Sequence, residues 1–142
     1  MKRKIGLAAA SVGAALAVGL AAIGGAAATP EEDARKAADA WLKLVDDAQY
    51  GKAYDAAAAL LKSAAKKADF EAAVEKARAP LGKVKSRTLK SATATKSLPG
   101  APAGDYVVIQ FDLAAEKGAA VETITPMLEK DGKWRVSGYF LK

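Results

Sequence analysis

Between Ile109 and Leu113 apolar and polar residues alternate strictly, and the same period extends back to Tyr106. Val107, Ile109, Phe111 and Leu113 fall on one face, and Tyr106, Val108, Gln110 and Asp112 on the other. A period of two predicts a half-buried strand. A second β-rich run, Ala120 to Thr125, follows the turn Glu116-Lys117-Gly118 and continues to Pro126, which has no backbone donor and predicts a bulge or an edge. Asp131-Gly132 is a strong hairpin signal. The strand after it is expected to put Trp134, Val136, Gly138 and Phe140 on one face, and Arg135, Ser137, Tyr139 and Leu141 on the other. Upstream, Lys83 to Thr95 reads as a long strand rich in hydroxyls, followed by a loop from Leu98 to Gly104.

The first half is periodic at helical spacing. Thr29 suits an N-cap, Pro30 a first turn, and Glu31, Glu32 and Asp33 the positive end of a helix. Ala34, Ala38, Trp41, Leu42 and Val45 form its apolar stripe. Tyr54, Ala57, Ala58, Leu61 and Ala65 predict a second helix. Asp69 is expected to cap a short third one carrying Phe70, Ala73, Val74 and Ala77, stopped by Pro80 and Gly82. Trp41, Tyr54 and Phe70 are expected in the core, with Trp134 and Phe140 packed against Trp41.

Helices followed by an antiparallel meander define an α+β class: N-terminal helices packed on a curved four-stranded antiparallel sheet. The sheet's other face is expected to be partly solvated or to form a shared interface.

Residues 1–28 read as a signal peptide, and 29–142 as a single domain. Lys2, Arg3 and Lys4 precede an uncharged run from Ile5 to Ala28, and Ala26-Ala27-Ala28 supplies the small-x-small site for cleavage. This predicts a periplasmic or secreted protein that meets the membrane only through the uncleaved segment. The alternative is an inner-membrane anchor, since the run is close to the ~20 residues that span a bilayer. Its Ala and Gly content makes insertion weakly driven.

Charge changes the picture little. Removing Lys2, Arg3 and Lys4 from the 22 basic residues leaves 19 against 16 acidic. The net charge of about +3 serves solubility, and no basic stripe interleaved with aromatics points to nucleic acid. Lys62, Lys66 and Lys67 read as a solvated helix face.

The chain has no Cys and no His. That removes disulfides, His-based acid–base work, Cys-His and Ser-His-Asp nucleophiles, and His/Cys metal sites. No cofactor or metal is expected. Three groups are candidates to line a pocket between sheet and helices: Arg87 with Glu122, Tyr139 with Ser137, and Gln110 with Asp112. A carboxylate enclosed there could act as a base. The favoured reading is structural, with Arg87 and Glu122 as a cross-strand ion pair that is only half buried. Asp46 and Asp47 are expected to be a solvated helix end, because adjacent acids on a helix do not face one site.

Trp41-Leu42-x-Leu44-Val45-Asp46, Ala79-Pro80-Leu81-Gly82, Ser86-Arg87, Ser97-Leu98-Pro99-Gly100-Ala101-Pro102, Val121-Glu122-Thr123 and the run Asp131 to Phe140 together resemble the secreted bacterial family known as domain of unknown function 4019. The resemblance covers essentially the whole chain after the signal. It implies export and one domain, and it brings no activity and no functional residues. The layout is also similar to cystatin-like folds, including the nuclear-transport-factor-2-like (NTF2-like) cone. Fold does not set function. The expected role is a non-catalytic extracytoplasmic module binding an envelope protein or a small ligand. The alternative is an isomerase- or hydrolase-like enzyme using a carboxylate or Tyr in a cone-shaped pocket.

Overall fold

The computed structural model describes residues 27–142. The segment expected to be a signal peptide, residues 1–28, lies outside the described residues apart from Ala27 and Ala28. Among the described residues no helix is long and apolar enough to cross a membrane.

Four helices precede four strands: α1 (Pro30–Asp46), α2 (Tyr50–Asp55), α3 (Ala59–Ala64), α4 (Lys67–Arg78), then β1 (Val84–Thr95), β2 (Tyr106–Ala115), β3 (Gly118–Leu128) and β4 (Trp134–Leu141). The strands form one antiparallel sheet in the order β1-β2-β3-β4, open at both edges. The architecture is α+β.

α1 begins as its sequence dictates. Glu32 N–H donates to Thr29 Oγ1 at 3.2 Å, and Thr29 N–H donates back to Glu32 at 3.0 Å, a reciprocal capping box ahead of Pro30. Ala34, Ala38, Trp41, Leu42 and Val45 are all buried. They meet Val107, Ile109, Phe111, Ile124 and Val136 from the sheet. Trp41 anchors this core: its indole donates to Ala53 O at 2.7 Å, and its ring packs edge-on to Phe70 at 6.1 Å between centroids. Phe70 is buried as expected, and Tyr54, half-buried, packs 5.6 Å from it.

The expected second helix is two. The chain breaks after Asp55, where Ala58 N–H donates to Val136 O at 2.8 Å on the edge of β4. That tertiary bond outcompetes helix continuation in a stretch of alanines that carries no breaker of its own. α4 starts at Lys67 with Lys66 as its N-cap residue, so Asp69 lies in the first turn instead of capping it. There its charge still faces the positive helix end.

The larger correction is in β4. Phe140 is 57% exposed, and Tyr139 faces the helices, 5.2 Å from the Trp41 ring. Trp134 is half-buried at the rim of the core. Thr125 pairs with Gly138 while Pro126 pairs with Val136, which leaves Ser137 as an extra residue. The bulge forms opposite Pro126, whose missing N–H cannot join the ladder. One extra residue reverses every side chain beyond it. Trp134 and Val136 therefore point inward, and then Tyr139 does, in place of Phe140.

Candidate functional site

Five side chains from five elements converge under the helices. Asp46 is the last residue of α1 and Arg78 the last of α4. Arg87 stands on β1 opposite Leu113, Glu122 on β3 opposite Phe111, and Tyr139 on β4 opposite Ile124. Leu113, Phe111 and Ile124 are core residues, so their partners share the inner face.

Glu122 is completely buried. Arg87 grips it twice, Nε to Oε1 at 2.6 Å and Nη2 to Oε2 at 3.2 Å. Arg78 Nη1 donates to Oε2 at 3.2 Å, and the Tyr139 hydroxyl donates to the same oxygen at 2.5 Å. Arg78 Nη1 also lies 2.9 Å from Tyr139 Oη. Asp46 closes the ring: its carboxylate accepts from Arg87 at 3.0 and 3.1 Å and from Arg78 Nη2. Two carboxylates thus face two guanidinium groups and one neutral phenol, with zero net charge. Planar guanidinium forks fit such paired carboxylates.

The protonation states follow from this geometry. Burial alone would raise the Asp46 carboxyl, but the hydrogen bonds from Arg87 and Arg78 outweigh it and hold it below the ordinary aspartate value. Burial would lower both arginines, and Asp46 with Glu122 around Arg87, and Tyr139 with Asp46 around Arg78, more than reverse that. Burial, then the negative charge of Glu122, pushes the Tyr139 phenol far above its usual value. Tyr139 therefore stays a donor at any physiological pH, and the phenolate needed for base catalysis is disfavoured.

Arg87 and Glu122 form the ion pair read from the sequence, but Glu122 is fully buried where half exposure was expected. Asp46 is the second correction: its side chain is 29% exposed and held by both arginines, whereas Asp47 pairs only with Lys43, at 3.2 Å. The other candidates lie apart from the cluster. Gln110 donates to Thr123 Oγ1 at 3.3 Å on the outer sheet face, and Asp112 is exposed beside Lys90 at 4.0 Å. Ser137 Oγ donates to Thr125 O at 2.7 Å within the bulge.

Arg78 was missed altogether. A signal for it exists: Phe70, Val74 and Arg78 continue one buried row at steps of four. Ala34, Ala38, Leu42 and Asp46 do the same on α1. In each helix the last member of an apolar row is a charge of opposite sign.

Asp46 and Arg78 also floor an open cleft of about 680 Å³, walled by Asp47, Glu75, Lys83 and Glu116 among others. Among the described residues no group of three or more acids is placed to hold a metal ion.

A cluster of two carboxylates, two arginines and one tyrosine, centred on the buried Glu122 inside an α+β scaffold, defines a class by architecture rather than by reaction. The chain belongs to the family described as protein of unknown function (DUF4019), whose model matches residues 37–139. All five cluster residues lie within that span. No curated protein matches the chain.

Proposed function

We propose that the chain is exported, cut after Ala28, and works as a non-catalytic extracytoplasmic module that binds an envelope protein or a small ligand. The observation that carries the non-catalytic part is the saturation of Glu122. Its two oxygens accept four hydrogen bonds from Arg78, Arg87 and Tyr139, which uses the acceptor capacity a base would need. Above this cluster the cleft presents acids and lysines side by side, a surface suited to recognition. The enzyme alternative draws on the same cleft, with Asp46 as the one cluster carboxylate that reaches it. Export draws on Lys2, Arg3 and Lys4, the uncharged run and the alanine cleavage site. It also fits the position of Thr29: the cut would fall immediately before the N-cap, in extended, exposed chain, and leave α1 whole.

Intact-mass measurement on protein from the periplasm or medium should give residues 29–142. A membrane-bound species that keeps Met1 to Lys4 would overturn cleavage and favour the anchor. Co-purification from the native envelope followed by mass spectrometry should return a bound protein or ligand. Turnover of a small substrate that Asp46→Asn abolishes without unfolding the chain would instead establish the enzyme.

A further inference from the structure

The sheet's outer face is unusually poor in charge. In this chain 27% of residues are charged. Solvated faces of antiparallel sheets normally carry many of them. Here the two central strands of the outer face hold Val108, Gln110, Val121, Thr123 and Thr125, with Asp112 as their one charged side chain, 4.0 Å from Lys90, while Arg135 and Lys142 stand at the β4 edge. Phe140, the most exposed large apolar residue among those described, stands on this face at the β4 edge. Charge depletion around an exposed aromatic marks the core of protein interfaces.

We propose that a second copy of this chain docks on this face, sheet to sheet, about a two-fold axis running along the strands between β2 and β3. Register and area favour that occupant. Ser91 pairs with Gln110, Gln110 with Thr123, and Thr123 with Phe140, so these four form one straight row across the sheet. The two-fold axis lays this row on itself in reverse. Phe140 of each copy then covers the short Ser91 of the other, and each Gln110 carboxamide meets a Thr123 hydroxyl. Large meets small and donor meets acceptor, the self-complementarity that an isologous interface requires. Four strands about 4.8 Å apart and about nine residues long at ~3.3 Å each give roughly 570 Å². That is close to the ~600 Å² per partner at which specific interfaces begin. A surface of the same size and low relief uses all of it, which an extended peptide would not. The pairing needs neither export nor any occupant of the cleft on the helical side, so its failure leaves the reading above standing.

The exported protein should sediment at micromolar concentration with twice the monomer mass. Thr123→Arg, which buries a charge at the centre of the pair, should halve that mass with an unchanged circular-dichroism spectrum. A wild-type protein that is monomeric throughout, or a folded Thr123→Arg that still pairs, overturns the proposal. Cysteine placement gives a second route that does not depend on Thr123→Arg folding. Gly138 has room for a Cβ, whose nearest heavy neighbour would be Thr125 Cβ at 3.8 Å. Thr93 and Gly138 lie on opposite edge strands, roughly 14 Å apart within one sheet at three strand spacings. Mixed Thr93→Cys and Gly138→Cys chains should be joined by a short bis-maleimide, and Thr93→Cys chains alone should not. Cross-linking of the single variant but not of the mixture places the edges differently and overturns the two-fold arrangement.

Discussion

Arg78 Nη1 reaches Glu122 Oε2 at 3.2 Å across 44 residues of chain, joining the C-terminal end of α4 to the middle of β3. Among the described residues no other side-chain ion pair ties the helical half to the buried centre of the sheet except those made by Arg87 with Asp46, which belong to the same cluster. The cluster therefore sets how the two layers meet. A buried ion network need not stabilise more than apolar residues of the same shape, yet removing one member strands the others. Glu122→Gln should destabilise by about 3–5 kcal/mol, the range for an orphaned buried charge. Urea melts of the variant test this. A loss below about 1 kcal/mol would return the pair to the half-exposed class.

Acid should weaken the fold through Asp46. Its folded pKa lies below the ordinary aspartate value of 3.8. The stability it contributes is therefore fully present above that value and lost as pH falls through the lowered one. In Asp46→Asn this term is absent at every pH. Stability measured from about pH 5 down to about pH 2 should fall less steeply in the variant than in wild type. Parallel curves would mean that Asp46 titrates alike in the folded and unfolded chains.

Alkali acts through Tyr139 with the opposite sign. Its pKa is raised in the folded protein above the ordinary 10.0. Its contribution is whole below that value and declines as pH rises, because the unfolded chain ionises first. Tyr139→Phe should cost about 1–3 kcal/mol at neutral pH, since Glu122 loses a buried donor and Arg78 an acceptor. It should also remove part of the stability loss above pH 10. Ultraviolet titration of the phenols gives a direct check, with Tyr139 expected to ionise only on unfolding.

Much of this arrangement was legible in the residues and some was not, for physical reasons. The stripe of α1, its Thr29 cap and the alternation of β2 depend on local spacing, and they stand in the structure as read. The Arg87–Glu122 pairing was also readable, because both sit in strands where a charge needs a partner. Arg78 and Asp46 were passed over because a charge at a helix end is usually solvated, and only the fold brings two such ends together. The break between α2 and α3 depends on one tertiary bond, Ala58 N–H to Val136 O, which no local pattern encodes. The β4 error came from a half-used signal. Pro126 marked a bulge, but a bulge in the partner strand reverses the phase of everything after it.

That reversal makes the bulge at Ser137 a condition of the cluster, although Ser137 touches none of its members. Thr125 pairs with Gly138 and Pro126 with Val136, so Ser137 is left out of the ladder, and a strand that paired it instead would turn Phe140 inward and Tyr139 outward. Deleting Ser137 would bring Val136 and Gly138 together in sequence, opposite Pro126 and Thr125 as they already stand. Plain alternation along the shortened strand keeps Tyr139 on Glu122, which it meets at 2.5 Å, and Phe140 outward. The shortened strand would have to face Pro126 without the bulge that accommodates its missing donor. The deletion should therefore leave the cluster in place and cost about 1–3 kcal/mol, from backbone groups left unpaired beside Pro126. Ser137→Gly keeps the chain length and should cost only about 1 kcal/mol, from the lost bond to Thr125 O and the added backbone freedom. Thermal melts of the two variants decide the matter. Equal losses for the deletion and Ser137→Gly would show that the serine hydroxyl matters and the bulge does not.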